Sequence, residues 1–259
     1  MPAQIAYDGF ASVYDAFTSA NNYEMWLGGV LLPELDRWGL QPGWALDIGC
    51  GTGRAFDPLL GRGWKVVGCD VSTGMLSQAE EKFGDRVQLI HSDARFLDAE
   101  SICPSGGFQM ALLLNGVVNY LTEAGDLERV LSGVFNCLGH NGIVVFDTNT
   151  LHLFRESFGS GRDEEMSARG WEWHGLATEV VVGGLYEARL SGKHVEPQIH
   201  HQRHWTPDQV DEALDRCGLQ PLVTYGQREE NWQIILDAPL DEERDSRAIH
   251  IAVKGGPRG

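Results

Sequence analysis

A doubly wound α/β domain is the fold class this sequence predicts, and three observations predict it. A short apolar strand, Ala45-Leu46-Asp47-Ile48, runs straight into the alternating glycines Gly49, Gly51 and Gly53. A second apolar run, Lys65 to Cys69, ends in Asp70, 21 positions after Gly49. Strand-like and helix-like periods then alternate along most of the chain, the rhythm of a mostly parallel sheet covered on both faces. With 259 residues and 42% apolar content, the chain can bury one full core plus an insertion, and a second independent domain is not expected.

The elements follow in order. Trp26 to Trp38 carries a helical period and ends at the turn Gln41-Pro42-Gly43. After the glycines a helix opens from Arg54 on. Ser72 is placed to cap a helix carrying Met75 and Leu76. Val87 to His91 is a third strand that leads into Ser92-Asp93-Ala94-Arg95. Phe108 to Leu114 is a fourth, leading into Asn115-Gly116-Val117-Val118-Asn119-Tyr120. Leu127 to Leu138 is a crossover helix, and Ile143 to Phe146 a fifth strand ending at Asp147. Thr206-Pro207-Asp208-Gln209 combines a cap, a first-turn proline and a capping-box glutamine, so a helix starts there and stops at Gly218. Leu222 to Tyr225 and Ala248 to Val253 are the last two strands.

Leu151 to Trp205 breaks this rhythm. Two β-rich runs, Ala177 to Val182 and Leu185 to Leu190, flank Gly183-Gly184, a two-residue hairpin turn. Following the fifth strand, the segment is expected over the carboxyl edge of the sheet, where ligands bind in this architecture. The chain therefore divides into a core with N-terminal helices (1–150), a β-rich cap (151–205) and the C-terminal part of the core (206–259). The short acidic run Asp241 to Asp245 reads as a solvated loop.

The glycine loop lets a ligand approach the backbone closely, and its neighbours decide which ligand. A dinucleotide loop reads G-x-G-x-x-G and offers amide donors to a pyrophosphate. Here Asp47 precedes the first glycine by two residues. That carboxylate repels a pyrophosphate and attracts a ligand bearing ammonium and sulfonium charge, such as S-adenosylmethionine (SAM). Asp70 is placed to accept from both ribose hydroxyls and to exclude a 2′-phosphate. Asp93 could accept from the adenine amine while the Ala94 amide donates to the neighbouring ring nitrogen. Cys50, Val71, Arg95, Leu114 and Asn115 flank these positions and join Gly49, Gly51 and Gly53 as candidate cofactor contacts.

Over Ala45 to Thr148 the chain resembles the class I SAM-dependent methyltransferases. The likeness is greatest to those that modify small molecules, among them amino-sugar and antibiotic-tailoring N-methyltransferases and the glycine N-methyltransferase type. The resemblance implies a Rossmann-like seven-stranded sheet with its last strand antiparallel, a small β-rich cap after the fifth strand, and SAM as cofactor. It also implies an N-terminal lid that places Tyr14, or else Tyr7, near the cofactor's carboxylate, and Met75 against the adenine. The stripe Tyr7, Phe10, Tyr14, Phe17 is equally the pattern of a packed core.

In Gln198-Ile199-His200-His201-Gln202-Arg203-His204-Trp205, strand alternation sends His201 and Arg203 to one face and His200, Gln202 and His204 to the other. His200 and His204 lack a third acidic ligand at a fitting spacing, so no metal is called for. By resemblance His201 and Arg203 are the acceptor-pocket pair. Methyl transfer from a sulfonium needs alignment more than a protein nucleophile. His201, Tyr14, Asn119 and Tyr120 are the candidates to take or relay a proton. Trp171, Trp173 and Trp205 either stack on an acceptor ring or fill the cap core.

The expected activity is methyl transfer to a small-molecule amine, of a specialised metabolite or amino sugar. The alternatives are an O-methyltransferase acting on a hydroxyl or carboxylate, a SAM-binding accessory protein without turnover, and a dinucleotide oxidoreductase. A net charge of -17 argues against duplex DNA or bulk RNA as substrate. Asn115-Gly116-Val117-Val118 also lacks the Asn/Asp-Pro-Pro-aromatic signature of base aminomethyltransferases, and the Pro-Cys pair of cytosine C5 enzymes is missing. Five cysteines without a C-x-x-C pair and without a secretory signal are those of a reduced, cytoplasmic protein. No apolar run approaches membrane-spanning length. Any self-association is expected through the lid or the cap.

Overall fold

The computed structural model describes residues 7–19, 23–159, 161–162, 170–192 and 195–255. Its strands, in chain order, are β1 (Trp44–Ile48), β2 (Lys65–Asp70), β3 (Gln88–His91), β4 (Phe108–Leu113), β5 (Leu138–Asn149), β6 (Gly161–Arg162), β7 (Trp171–Gly175), β8 (Leu185–Gly192), β9 (Val195–Arg203), β10 (Leu219–Glu230), β11 (Gln233–Asp237) and β12 (Arg247–Lys254). The main sheet runs β11-β10-β12-β5-β4-β1-β2-β3. β1 to β5 pair in parallel, and β12 joins β5 antiparallel.

Strand alternation splits the core between the two faces of this sheet. Leu46, Ile48, Ala111, Leu113, Val144 and Phe146 pack under the helices Asp126–Cys137 and Pro207–Arg216. Ala45, Met110, Leu112, Ile143 and Val145 face the helices Phe56–Gly61 and Thr73–Phe83 on the other side. Both faces being covered is what makes the central strands read as continuous apolar runs. The Thr206 capping box forms as expected, with its side chain accepting from Gln209 N and the Gln209 side chain returning to the Thr206 backbone. The predicted helix from Trp26 begins as a π-helical segment, Glu24–Leu31, and continues as an α-helix over Leu32–Arg37.

The sheet has an eighth strand that the sequence pattern does not announce. β11 folds back on β10 across Asn231 and Trp232, both with positive φ (51° and 65°), a two-residue turn in which tryptophan stands where glycine is usual. Its run Gln233-Ile234-Ile235-Leu236-Asp237 also lacks strict alternation.

A second, four-stranded antiparallel sheet, β6-β7-β8-β9, lies within the predicted cap, whose residues 163–169 are outside the described ones. The predicted hairpin is corrected here. Ala177 to Val182 is not a strand, because β8 is already paired with β7 on one edge and β9 on the other. Val181 instead exchanges bonds with the Tyr186 hydroxyl, and Gly183 N donates to His204 Nδ1. The acidic run is corrected too. Asp245 is fully buried against Arg228, while Glu242 accepts from Leu151 N and meets His204 Nε2 at 2.9 Å. No helix among the described residues is long and apolar enough to cross a membrane.

Candidate active site

At the carboxyl edge of β1, β2 and β4 lies a cavity of about 650 Å³, walled by the glycine loop, the N-terminal segment and one face of the cap sheet. That volume falls in the usual range for small-molecule sites. Gly49 N and Cys50 N both donate to Cys69 O, at 2.8 and 3.0 Å, which folds the loop across the end of β2. Gly51 N donates to one Asp70 oxygen and Ser72 N to the other, each at 2.8 Å. Asp70 is thus anchored by backbone donors, and its free lone pairs are left for a ligand's hydroxyls. Ser72 caps the next helix by accepting from Met75 N, which turns Met75 onto the cavity wall.

Asp47 also lines the cavity while only 4% exposed. Burial, with a contribution from Asp70, pushes its carboxyl up to about 7. A buried carboxylate that costs this much to ionise fits a cationic ligand, which would supply the missing counter-charge. At the far end, Asp93 lies beside Ala94 on the wall with both its oxygens held by Arg95, which keeps its carboxyl below the usual range. Arg95 also reaches Asp126 at 3.6 Å.

The N-terminal segment closes the opposite side. Its aromatic stripe divides: Phe10 and Phe17 pack edge-on against Trp171 of the cap, whereas Tyr7 and Tyr14 line the cavity. Asn115 Nδ2 donates to Tyr14 Oη at 3.2 Å and its Oδ1 accepts from Arg247, so the end of β4 fixes the tyrosine. Tyr7 Oη donates to Tyr120 Oη at 2.7 Å, and Tyr120 meets His200 Nδ1 at 2.8 Å. Asp8 accepts from Ser72 Oγ and Gly74 N, Asp15 accepts from Thr52 Oγ1, and Arg54 donates to Thr18 O.

From the cap, Leu185, Ile199 and His201 face the cavity. The predicted alternation of β9 holds: Gln198, His200, Gln202 and His204 are buried on the other face. Burial lowers His200 to about 4, so it stays neutral and serves as a hydrogen-bond partner for Tyr120.

Of the residues singled out from sequence, Tyr14, Asp47, Gly49, Cys50, Gly51, Asp70, Val71, Met75, Asp93, Ala94, Arg95, Leu114, Asn115 and His201 come together on this wall. Three do not. Gly53 sits behind it, where a Cβ would lie 2.7 Å from Phe56, so with φ at +79° its role is close helix packing. Asn119 is fully buried, donating to Arg203 O and accepting from Asn149 N, and is a clamp between β9 and β5 in place of the expected proton relay. Arg203 lies over the Trp205 ring at 4.6 Å and donates to Thr122 O, so it stands behind the lining residue Thr122 and not on the wall itself. Trp171, Trp173 and Trp205 are likewise off the wall, with Trp173 Nε1 bound to Ser157 O and Trp205 Nε1 to Val118 O.

Sequence reading missed Tyr23, Arg54, Val117, Leu185 and Ile199. Arg54 had a usable signal in directly following Gly53, and Leu185 and Ile199 in sharing the strand alternation of His201. Val117 fills the space in front of Gly49, where a Cβ would approach it to 2.6 Å.

The doubly wound sheet, with carboxylates at successive strand ends, places the cavity where such folds bind nucleoside cofactors. Residues 46–144 match the family described as a methyltransferase domain. The glycine/sarcosine N-methyltransferase of Parasynechococcus marenigrum (strain WH8102) is 32% identical over 214 residues, covering 81% of this chain and 71% of that one. Among solved structures, a SAM-dependent methyltransferase from Clostridium acetobutylicum ATCC 824 superposes with a TM-score of 0.74 at 20% identity, covering 96% and 99% of the two chains. The sugar N-methyltransferase KedS8 from Streptoalloteichus sp ATCC 53650 does so at 0.65 and 18%, covering 93% and 92%. The chain belongs to the SAM-dependent methyltransferases, and its cofactor is SAM. Asp47, Asp70 and the glycine loop are the residues that would hold that cofactor, which supplies an electrophilic methyl group on sulfur when bound.

Proposed function

We propose that this enzyme methylates an amine nitrogen of a small molecule, either a specialised metabolite or an amino sugar. The observation that carries this reading is the charge of the wall. Asp47, Asp70, Asp93, Glu123 and Asp126 stand against Arg54 and Arg95, and with Arg95 paired to Asp93 and Asp126 the carboxylates still outnumber the cations on the wall. Such a wall attracts an acceptor that arrives as an ammonium and repels one that arrives as a carboxylate. The named activity of the glycine/sarcosine N-methyltransferase relative supports the same chemistry.

An ammonium has no lone pair, so a proton must leave before attack. His201 is the imidazole on the cap side of the cavity and is placed to take it. Tyr14 and Asn115 fix the wall near the expected donor end, and Leu185 and Ile199 give the cap side an apolar lining. Positioning then supplies most of the acceleration.

His201 would also assist a hydroxyl acceptor, so O-methylation is the second reading. Release of S-adenosylhomocysteine should be followed with glycine, sarcosine and an amino sugar in parallel with alcohols, phenols and carboxylic acids. Turnover with amines alone is expected. Turnover confined to hydroxyls or carboxylates would replace the amine reading.

A further inference from the structure

His201 reaches the cavity from β9, and Glu187 stands directly opposite it in the antiparallel register of β8 and β9. The Glu187 carboxylate lies 3.1 Å from His201 Nδ1. Directly opposed residues on one sheet face hold their Cβ atoms about 5 Å apart, so the sheet itself sets this contact. Leu185 and Ile199, the neighbours of the pair on the same face, line the same cavity. The other imidazoles of the segment point away: His200 is bound to Tyr120, and His204 to Gly183 and Glu242.

We infer that Glu187 is the positioning residue for His201 in the methyl-transfer reaction. From 3.1 Å its carboxylate favours the neutral ring with the proton on Nδ1, which leaves the lone pair on Nε2. This inference rests on the reading that His201 takes the acceptor's proton. In the step, an ammonium acceptor gives its proton to Nε2, and its freed lone pair forms the new N–C bond. The C–S bond breaks as that bond forms, with its electron pair passing to sulfur to leave a neutral thioether. Glu187 takes no proton in the step and faces the imidazolium, which returns its proton to water once the product departs. Since the Glu187 side chain is 52% exposed, its effect lies in tautomer and orientation more than in ion-pair strength.

Carbethoxylation by diethyl pyrocarbonate at pH 8 reads the nucleophilic ring nitrogen without any acceptor, and mass spectrometry assigns the label. His201 should be labelled several-fold more slowly in Glu187→Gln and recover in Glu187→Asp, with calorimetric SAM binding unchanged in both. An equal rate in Glu187→Gln overturns the positioning role. In turnover with an amine acceptor, Glu187→Gln should lose roughly tenfold in kcat with KM nearly constant. It should add nothing further in a His201→Ala background; additive losses would make Glu187 merely structural. Undiminished turnover in His201→Ala would instead remove His201 as the base, a different outcome from equal labelling.

Discussion

The carboxylates of Asp47 and Asp70 wall one cavity from the adjacent parallel strands β1 and β2, and Asp70 adds to the burial that pushes Asp47 up to about 7. An acid whose folded value lies above its ordinary 3.8 binds more protons folded than unfolded. Its contribution to stability is therefore fully present below that ordinary value and is lost as pH rises towards 7. At pH 8 the ligand-free Asp47→Asn variant should melt above the wild type and yet bind SAM more weakly. Wild-type SAM affinity should climb up to about pH 7 and then level off, whereas the variant should lack that climb. Calorimetry at pH 6 and pH 8 with a melting curve checks both; a lower melting point with an unchanged pH dependence would remove the cationic role of this site.

Burial lowers His200 to about 4 and His250 to about 3. These groups act in the opposite direction: folded imidazoles resist the protons that unfolded ones accept below about 6.5, so stability falls as pH drops through that window. Chemical unfolding of the His250→Gln variant should show a shallower loss between pH 6.5 and pH 4 than the wild type. An identical slope would assign the loss to other groups.

Asp70→Ala removes the acceptor for Gly51 N and Ser72 N together with the side chain expected to hold the ribose. SAM affinity should fall by about 2 to 4 kcal/mol. An isothermal titration that returns the wild-type dissociation constant would refute the placement of the ribose.

Asn119→Ala separates clamp from relay. Breaking the bonds to Arg203 O and Asn149 N should cost about 1 to 3 kcal/mol in urea unfolding, with SAM affinity retained. Full stability accompanied by loss of turnover would reinstate Asn119 as a proton carrier.

The cofactor half of the site was legible because its signals are local. Three glycines, a carboxylate before them and an acidic residue closing β2 all lie within a few positions of a strand end. The face of β9 that carries His201 was legible for the same reason, through simple alternation. What escaped depends on distant partners. Ala177 to Val182 has strand-like composition, but β7 claims the edge of β8 it would have used. Asp245 looks solvated until Arg228, seventeen positions earlier, meets it across the fold. Arg203 shares the face of His201, yet the ring of Trp205 draws it aside.

Among the described residues the N-terminal segment is fastened to the core through Tyr7 to Tyr120, Asp8 to Ser72, Tyr14 to Asn115, Asp15 to Thr52 and Lys82, and Thr18 to Arg54. Two of those partners, Ser72 and Thr52, belong to the turn and loop expected to cradle the nucleoside, so exchanging a spent thioether for a fresh donor should disturb the same contacts that hold the segment in place. Loosening any one fastening should then quicken departure of the used nucleoside at the expense of a leakier chamber.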